Sequence, residues 1–89
     1  MKAVITVVGK DAVGILAKVS GKCATYNVNV DEVSQTVLQE MFCMIMVCNI
    51  ENLNVKFSDF AVEMEQLGKD MGMVIHTIHE DIFDSMHRI

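Results

Sequence analysis

Two stretches of this chain leave little choice about where they can lie. Lys2-Ala-Val-Ile-Thr-Val-Val8 and the run from Met41 to Ile50 are apolar at almost every position. A strand that does not alternate apolar with polar residues is one that the fold covers on both faces. Both runs therefore belong at the centre of a sheet, and the rest of the chain must supply edges and cover. Neither run approaches the roughly 20 residues that span a bilayer, so no membrane span or targeting segment is expected.

The remaining segments fill those roles. After a break at Gly9-Lys-Asp11, a helix is expected to about Tyr26, with Asp11 as N-cap and Ile15, Leu16, Val19, Cys23 and Tyr26 on its apolar stripe. Asn27 offers a left-handed stop. From Val28 to Leu38 the valines at 28, 30, 33 and 37 interleave with polar residues, the pattern of a half-exposed edge strand. Gln39-Glu40 makes a hairpin turn into the second apolar strand. Beyond a loop over Glu51–Val55, Phe57, Phe60, Ala61, Met64, Leu67, Gly68 and Met71 share one helical face, with Ser58 as N-cap and Gly72 as stop. Met73–Glu80 reads as a fourth strand with Val74, Ile75 and Ile78 towards cover. Asp81–Ile89 reads as a short helix with Ile82, Phe83, Met86 and Ile89 on one face.

This order, β-α-β-β-α-β, is that of a ferredoxin-like α+β sandwich: a four-stranded antiparallel sheet, two helices on one face and a short C-terminal helix. Right-handed crossovers put the first and third strands in the middle, and these are the two apolar runs. With 89 residues, no proline and 52% hydrophobic residues, one packed domain is expected over residues 1–81. Residues 82–89 are expected to form a helical tail packed on the domain or on a dimer partner. The third strand is apolar at both phases, so the sheet face away from the helices also wants a partner. A homodimer is expected, by edge pairing or by face packing.

Composition narrows the function. Seven basic against twelve acidic residues give a net charge of −5, which opposes binding to nucleic acid. Cys23, Cys43 and Cys48 are odd in number, contain no CxxC pair and lie in apolar stretches, as reduced thiols of a cytoplasmic protein do. Where strand gives way to helix, Gly9-Lys-Asp-Ala-Val-Gly14-Ile15 would aim free backbone amides at an anionic group such as a carboxylate. Spacing alone also fits a cap and a tight helix–sheet contact. The segment is neither a P-loop nor a Rossmann triplet. The chain's only arginine is Arg88, whereas a phosphatase of this topology would need one in the loop. His76 and His79 fall on opposite sides of a strand, so a shared metal is not expected, and Cys23, without a basic neighbour, reads as a core thiol.

The run Asp-x-x-Gly-Ile-Leu-Ala-x-Val (Asp11 to Val19), followed by Asn29 within Asn-Val-Asn-Val-Asp (Asn27 to Asp31), resembles an ACT domain over essentially the whole chain. The ending Phe83-Asp-Ser-Met-His-Arg-Ile89 is similar to that of small stand-alone bacterial ACT proteins, related to tandem proteins resembling the glycine-cleavage repressor. The resemblance implies a small-ligand site, usually for an amino acid, at a dimer interface. It assigns to that site Asp11, Ala12, Val13, Gly14, Ile15 and Asn29. Asp11 would take the ligand ammonium, while the amides from Ala12 to Ile15 and the Asn29 side chain would take its carboxylate. Val13 stands where the family usually has proline, and Gly9 where serine-binding members have histidine.

The expected function is a non-enzymatic, cytoplasmic regulatory module without cofactor or metal, binding an amino acid between two subunits and passing its state to a protein partner. The alternative is an interaction module with a vestigial site, whose tail docks a partner. A small metal- or phosphate-handling enzyme is a third reading.

Overall fold

The computed structural model describes residues 1–82. The chain runs β1 (Lys2–Lys10), α1 (Ile15–Thr25), β2 (Asn29–Leu38), β3 (Met41–Asn49), α2 (Phe57–Met71) and β4 (Met73–His79). The helix expected over Asp81–Ile89 falls, beyond Ile82, outside the described residues. The sheet order is β2-β3-β1-β4 with every neighbour antiparallel. The two apolar runs are thus the central strands, where both backbone edges find partners.

Register assigns the side chains to faces, because paired residues of antiparallel strands point the same way. Ala3, Ile5 and Val7 of β1 lie level with Cys48, Met46 and Met44 of β3. All six are fully or almost fully buried under α1 and α2, whose Ile15, Val19, Cys23, Phe60 and Met64 complete one core. Each large apolar side chain so enclosed contributes roughly 1.5–3 kcal/mol. Tyr26 ties the helices together: its ring meets Phe60 edge-on at 5.8 Å, and its hydroxyl donates to Glu63 Oε1 at 2.9 Å. The other face carries Val4, Thr6 and Val8 beside Val47, Ile45 and Cys43; Val4 is 5% exposed there, while Val8 and Ile45 are 40% and 49% exposed.

Several expectations change in detail. β1 is covered by helices on one face only, and it continues through Lys10, which pairs with Met41. Asp11 is not the N-cap: its amide donates to Glu40 O at 3.0 Å, so it still belongs to the end of the sheet. Gly14 caps α1 in its place, with φ of 84°. Ser58 does not cap α2 either. Phe57 is drawn in against the His79 ring at 5.6 Å, so the helix starts one residue before Ser58, with extended Lys56 at the cap. Leu16 is 40% exposed, leaving the stripe of α1 to Ile15, Val19 and Cys23. In β4 it is Met73 and Ile75 that are buried, while Val74 is 57% exposed on the face opposite α1 and α2 with Ile78. Asn27 and Gly72 do end their helices with positive φ, at 60° and 71°.

Two close fits carry measurable consequences. α2 rests on β4 at Gly68, where an added Cβ would come within 2.9 Å of Met73 O and Ile75 Cγ1. Gly68→Ala is therefore expected to destabilise the fold by about 1–3 kcal/mol through overpacking, although alanine is the better helix former. A urea midpoint at or above wild type would show that the helix–strand contact yields. The β2–β3 turn has positive φ at both Gln39 (50°) and Glu40 (71°), the geometry of a type I′ hairpin that favours Asn-Gly. Glu40→Gly should raise stability by about 0.5–1 kcal/mol by relieving left-handed strain, and a lowered urea midpoint would refute that account.

Candidate functional site

Asp11, Ala12, Val13 and Gly14 form a short exposed link between the last residue of β1 and the first turn of α1. Val13 is 99% exposed, whereas Ile15 is 3% exposed and anchors the helix start in the core. The positive φ of Gly14 lets the chain turn sharply into α1, and its carbonyl accepts the first helical bond, from Lys18 N at 3.0 Å. A Cβ there would meet open space, so it is the backbone angle that calls for glycine. Among the described residues no carbonyl accepts from the amides of Ala12, Val13, Gly14 or Ile15. These amides, at the positive end of a helix macrodipole, suit a carboxylate. Asp11, whose own amide is spent on Glu40, precedes them in the same exposed link, and its carboxylate could accept from an ammonium.

Sequence reading missed the neighbour of this loop. The bond from Asp11 N to Glu40 O sets Gln39 and Glu40, the tip of the β2–β3 hairpin, directly against it. Positions 11 and 40 lack any periodic relation in sequence, and only the β1–β3 register reveals the contact.

Asn29 is elsewhere. It opens β2 at the opposite end of the sheet, level with Asn49. The length of β2 puts it roughly 30 Å from the hairpin tip of its own chain. One chain therefore brings Asp11 to Ile15 together and leaves Asn29 apart from them. Asn29 sits on an open depression of about 680 Å³ with Asn27, Val28, Asn52 and Leu53. Next to Leu53, Asn54 ties this loop to the end of α1, donating from N to Tyr26 O and from Nδ2 to Thr25 O. Asn29 Nδ2 donates to Asp31 Oδ1 at 2.7 Å, and Lys2 Nζ meets Asp31 Oδ2 at 2.9 Å. Asp31 is the bulged residue between the paired Val30 and Glu32, which turns its carboxylate back to both neighbours. A carboxylate only accepts, so the Asn29 amide is oriented with Nδ2 inward, leaving Oδ1 and one N–H for a ligand.

The other titratable groups are placed as the strands dictate. His76 lies level with Thr6 on the face opposite α1 and α2, while His79 lies level with Ala3 on the helix side. Among the described residues no three His, Cys, Asp or Glu side chains are grouped to hold a metal. Cys23 and Cys48 are fully buried and free. The Cys23 thiol beside it, together with burial, pushes the Cys48 thiol up, away from the reactive thiolate.

Comparison with known proteins places this geometry in context. The sequence model of a family described as ACT domain matches residues 2–77. A UPF0237 protein of Listeria monocytogenes is 43% identical over 89 residues, covering all of both chains. An ACT domain protein from Streptococcus pneumoniae has 43% sequence identity and a TM-score of 0.83, over 93% of each chain. A formyltetrahydrofolate deformylase from Pseudomonas putida shares the fold alone, with a TM-score of 0.77 at 11% identity over 89% of this chain and 29% of that one.

The Lys2 ammonium first, and the Asn29 amide second, hold the Asp31 carboxyl below its ordinary 3.8. A carboxyl with a depressed folded value contributes above the ordinary range, and that contribution is lost as pH falls through the folded value. The grip on Asn29 should accordingly persist at pH 4 to 5 and fail only in stronger acid. In an NMR titration the Asp31 midpoint is expected below 3.8, and Lys2→Met should move it upward. A midpoint indifferent to Lys2 would contradict the assigned cause.

Proposed function

This chain belongs to the ACT domain family, and from that premise we propose that it is a regulatory module binding an amino acid at a site completed by two copies of the chain. ACT domains generally bind small-molecule ligands for regulation. One observation carries the reading: the loop amides and Asn29, which suit the two ends of one small ligand, lie at opposite ends of the same exposed edge strand.

An antiparallel pairing of β2 with β2 of a second copy removes that separation. Centred near Ser34, it sets Asn29 opposite Gln39 of the partner subunit, and Gln39 adjoins the loop that Asp11 ties to Glu40. Two equivalent sites result, each with the amides of Ala12 to Ile15 and the Asp11 carboxylate from one copy and Asn29 from the other. The edge is suited to this. β2 is ten residues long, contains neither lysine nor proline, and leaves Val33 and Val37 42% and 50% exposed beside its unpaired backbone, features that template strand addition. The loop takes the ligand carboxylate, and Asp11 with Asn29 Oδ1 takes the ammonium.

The mechanism is linkage. A ligand held by both copies binds the pair better than the single chain, so it stabilises the paired state by its differential affinity. No catalytic step is assigned to these residues. The free cysteines accord with a reducing cytoplasm, and no described helix is long and apolar enough to cross a membrane.

Thermal melts of the full chain against each of the twenty standard amino acids test the reading. A cognate ligand at a hundredfold its Kd should stabilise by about 2.7 kcal/mol. Asp11→Ala and Asn29→Ala should each abolish the shift while leaving the unliganded melt near wild type. Refolding the two variants together should restore it in part, because a mixed pair contains one site with both native residues. A shift that survives both substitutions, or no recovery on mixing, would sink the shared site, and a panel without any shift would sink the ligand class.

A further inference from the structure

We propose that the depression beside Asn29 selects which amino acid the shared site accepts, and that it takes a side chain made of a methylene stem ending in a primary carboxamide. The inference rests on the shared-site reading above and adds to it the chemistry of the ligand side chain. The depression lies where three segments converge: Asn27 and Val28 follow α1, Asn29 opens β2, and Asn52 and Leu53 belong to the loop between β3 and α2. Backbone bonds hold these segments together. Val28 N donates to Cys23 O at 2.9 Å, Leu53 N to Ile50 O at 3.1 Å, and Asn54 N to Tyr26 O at 3.2 Å. A lining fixed in this way loses little further freedom when a ligand enters.

The lining combines an apolar floor with polar walls. Val28 is 5% exposed and Leu53 packs against the core, which gives methylene groups a surface to lie on. With Asn29 Oδ1 assigned to the ligand ammonium, the polar groups left to read the side chain are the amides of Asn27 and Asn52. Among the described residues neither of these two side chains hydrogen-bonds to a protein group, whereas those of Asn29, Asn49 and Asn54 are all engaged. Each presents an acceptor oxygen and an NH2 donor, and a carboxamide is the neutral side chain that answers both with separate atoms. An aliphatic end strips water from both amides and returns no bond. Charged ends fit no better. No lining residue ionises, and the ion pair that steadies Asn29 is already closed, with Lys2 Nζ on Asp31 Oδ2 at 2.9 Å. An acidic or basic end would therefore give up its water with no opposite charge in the lining to replace it.

Thermal melts of the full chain with each of the twenty standard amino acids carry the test. Glutamine or asparagine should reach its half-maximal shift at a concentration at least about tenfold below that of its acid counterpart and of methionine, the scale of one or two lost hydrogen bonds. Asn52→Leu should erase that preference, and Asn52→Asp should transfer it to lysine or arginine by supplying the missing charge. Asn52 is exposed, so the unliganded melts of both variants are expected near wild type. Asn27→Gly is a further variant: it removes the other amide, keeps the φ of 60° with which α1 ends, and should narrow the preference as well. If another kind of amino acid gives the strongest shift, or if the carboxamide preference survives all three substitutions, the selection is overturned while the shared site stands. If no amino acid moves the melt, both are overturned.

Discussion

The double pairing of β1 is the constraint on which the rest depends. Its backbone lies between β3 and β4, and all its buried N–H and C=O groups must be matched on both sides at once. That requirement locks two registers together, Val7 level with Met44 on one side and with Ile75 on the other. A slip of one residue would turn Ala3, Ile5 and Val7 out of the core and bring Thr6 and Lys10 into it. The same register extends to Lys10 and Met41, and so delivers the loop after β1 to the hairpin tip before β3. Core, loop and the sheet face opposite α1 and α2 are therefore three consequences of one alignment.

A small chain divides its surfaces between tasks. α1 and α2 spend their apolar stripes on one side of the sheet, which leaves β2 as an edge strand paired on one side only among the described residues. The edge offers directional hydrogen bonds, and under the proposed pairing it would set which residues of two copies meet.

Legibility in the sequence varied with the range of the forces involved. The six elements could be read because hydrophobic period is a local consequence of what each segment buries, and Phe60, Met64 and Gly68 recur at helical spacing whatever surrounds them. The left-handed stops at Asn27 and Gly72 were legible for the same reason. The helix starts were not. Asp11 and Ser58 are good capping residues, yet each was displaced by a contact from far along the chain, Glu40 in one case and His79 in the other. Capping worth about 1 kcal/mol gives way to a strand pairing or a buried ring. The phase of β4 was likewise settled by its alignment with β1, since Val74 and Ile75 are equally apolar.

The sequence by itself determined the order and kind of the elements and the central place of β1 and β3, because periodicity and turn residues are properties of neighbours in the chain. Only the tertiary structure decided that Asn29 stands an entire strand away from the loop from Asp11 to Ile15, that Glu40 adjoins that loop, and that Val8, Cys43, Ile45 and Val74 share the sheet face opposite α1 and α2. Those facts depend on which residues of distant strands lie level with one another. Register is an outcome of burying every strand together, so no single stretch of sequence contains it.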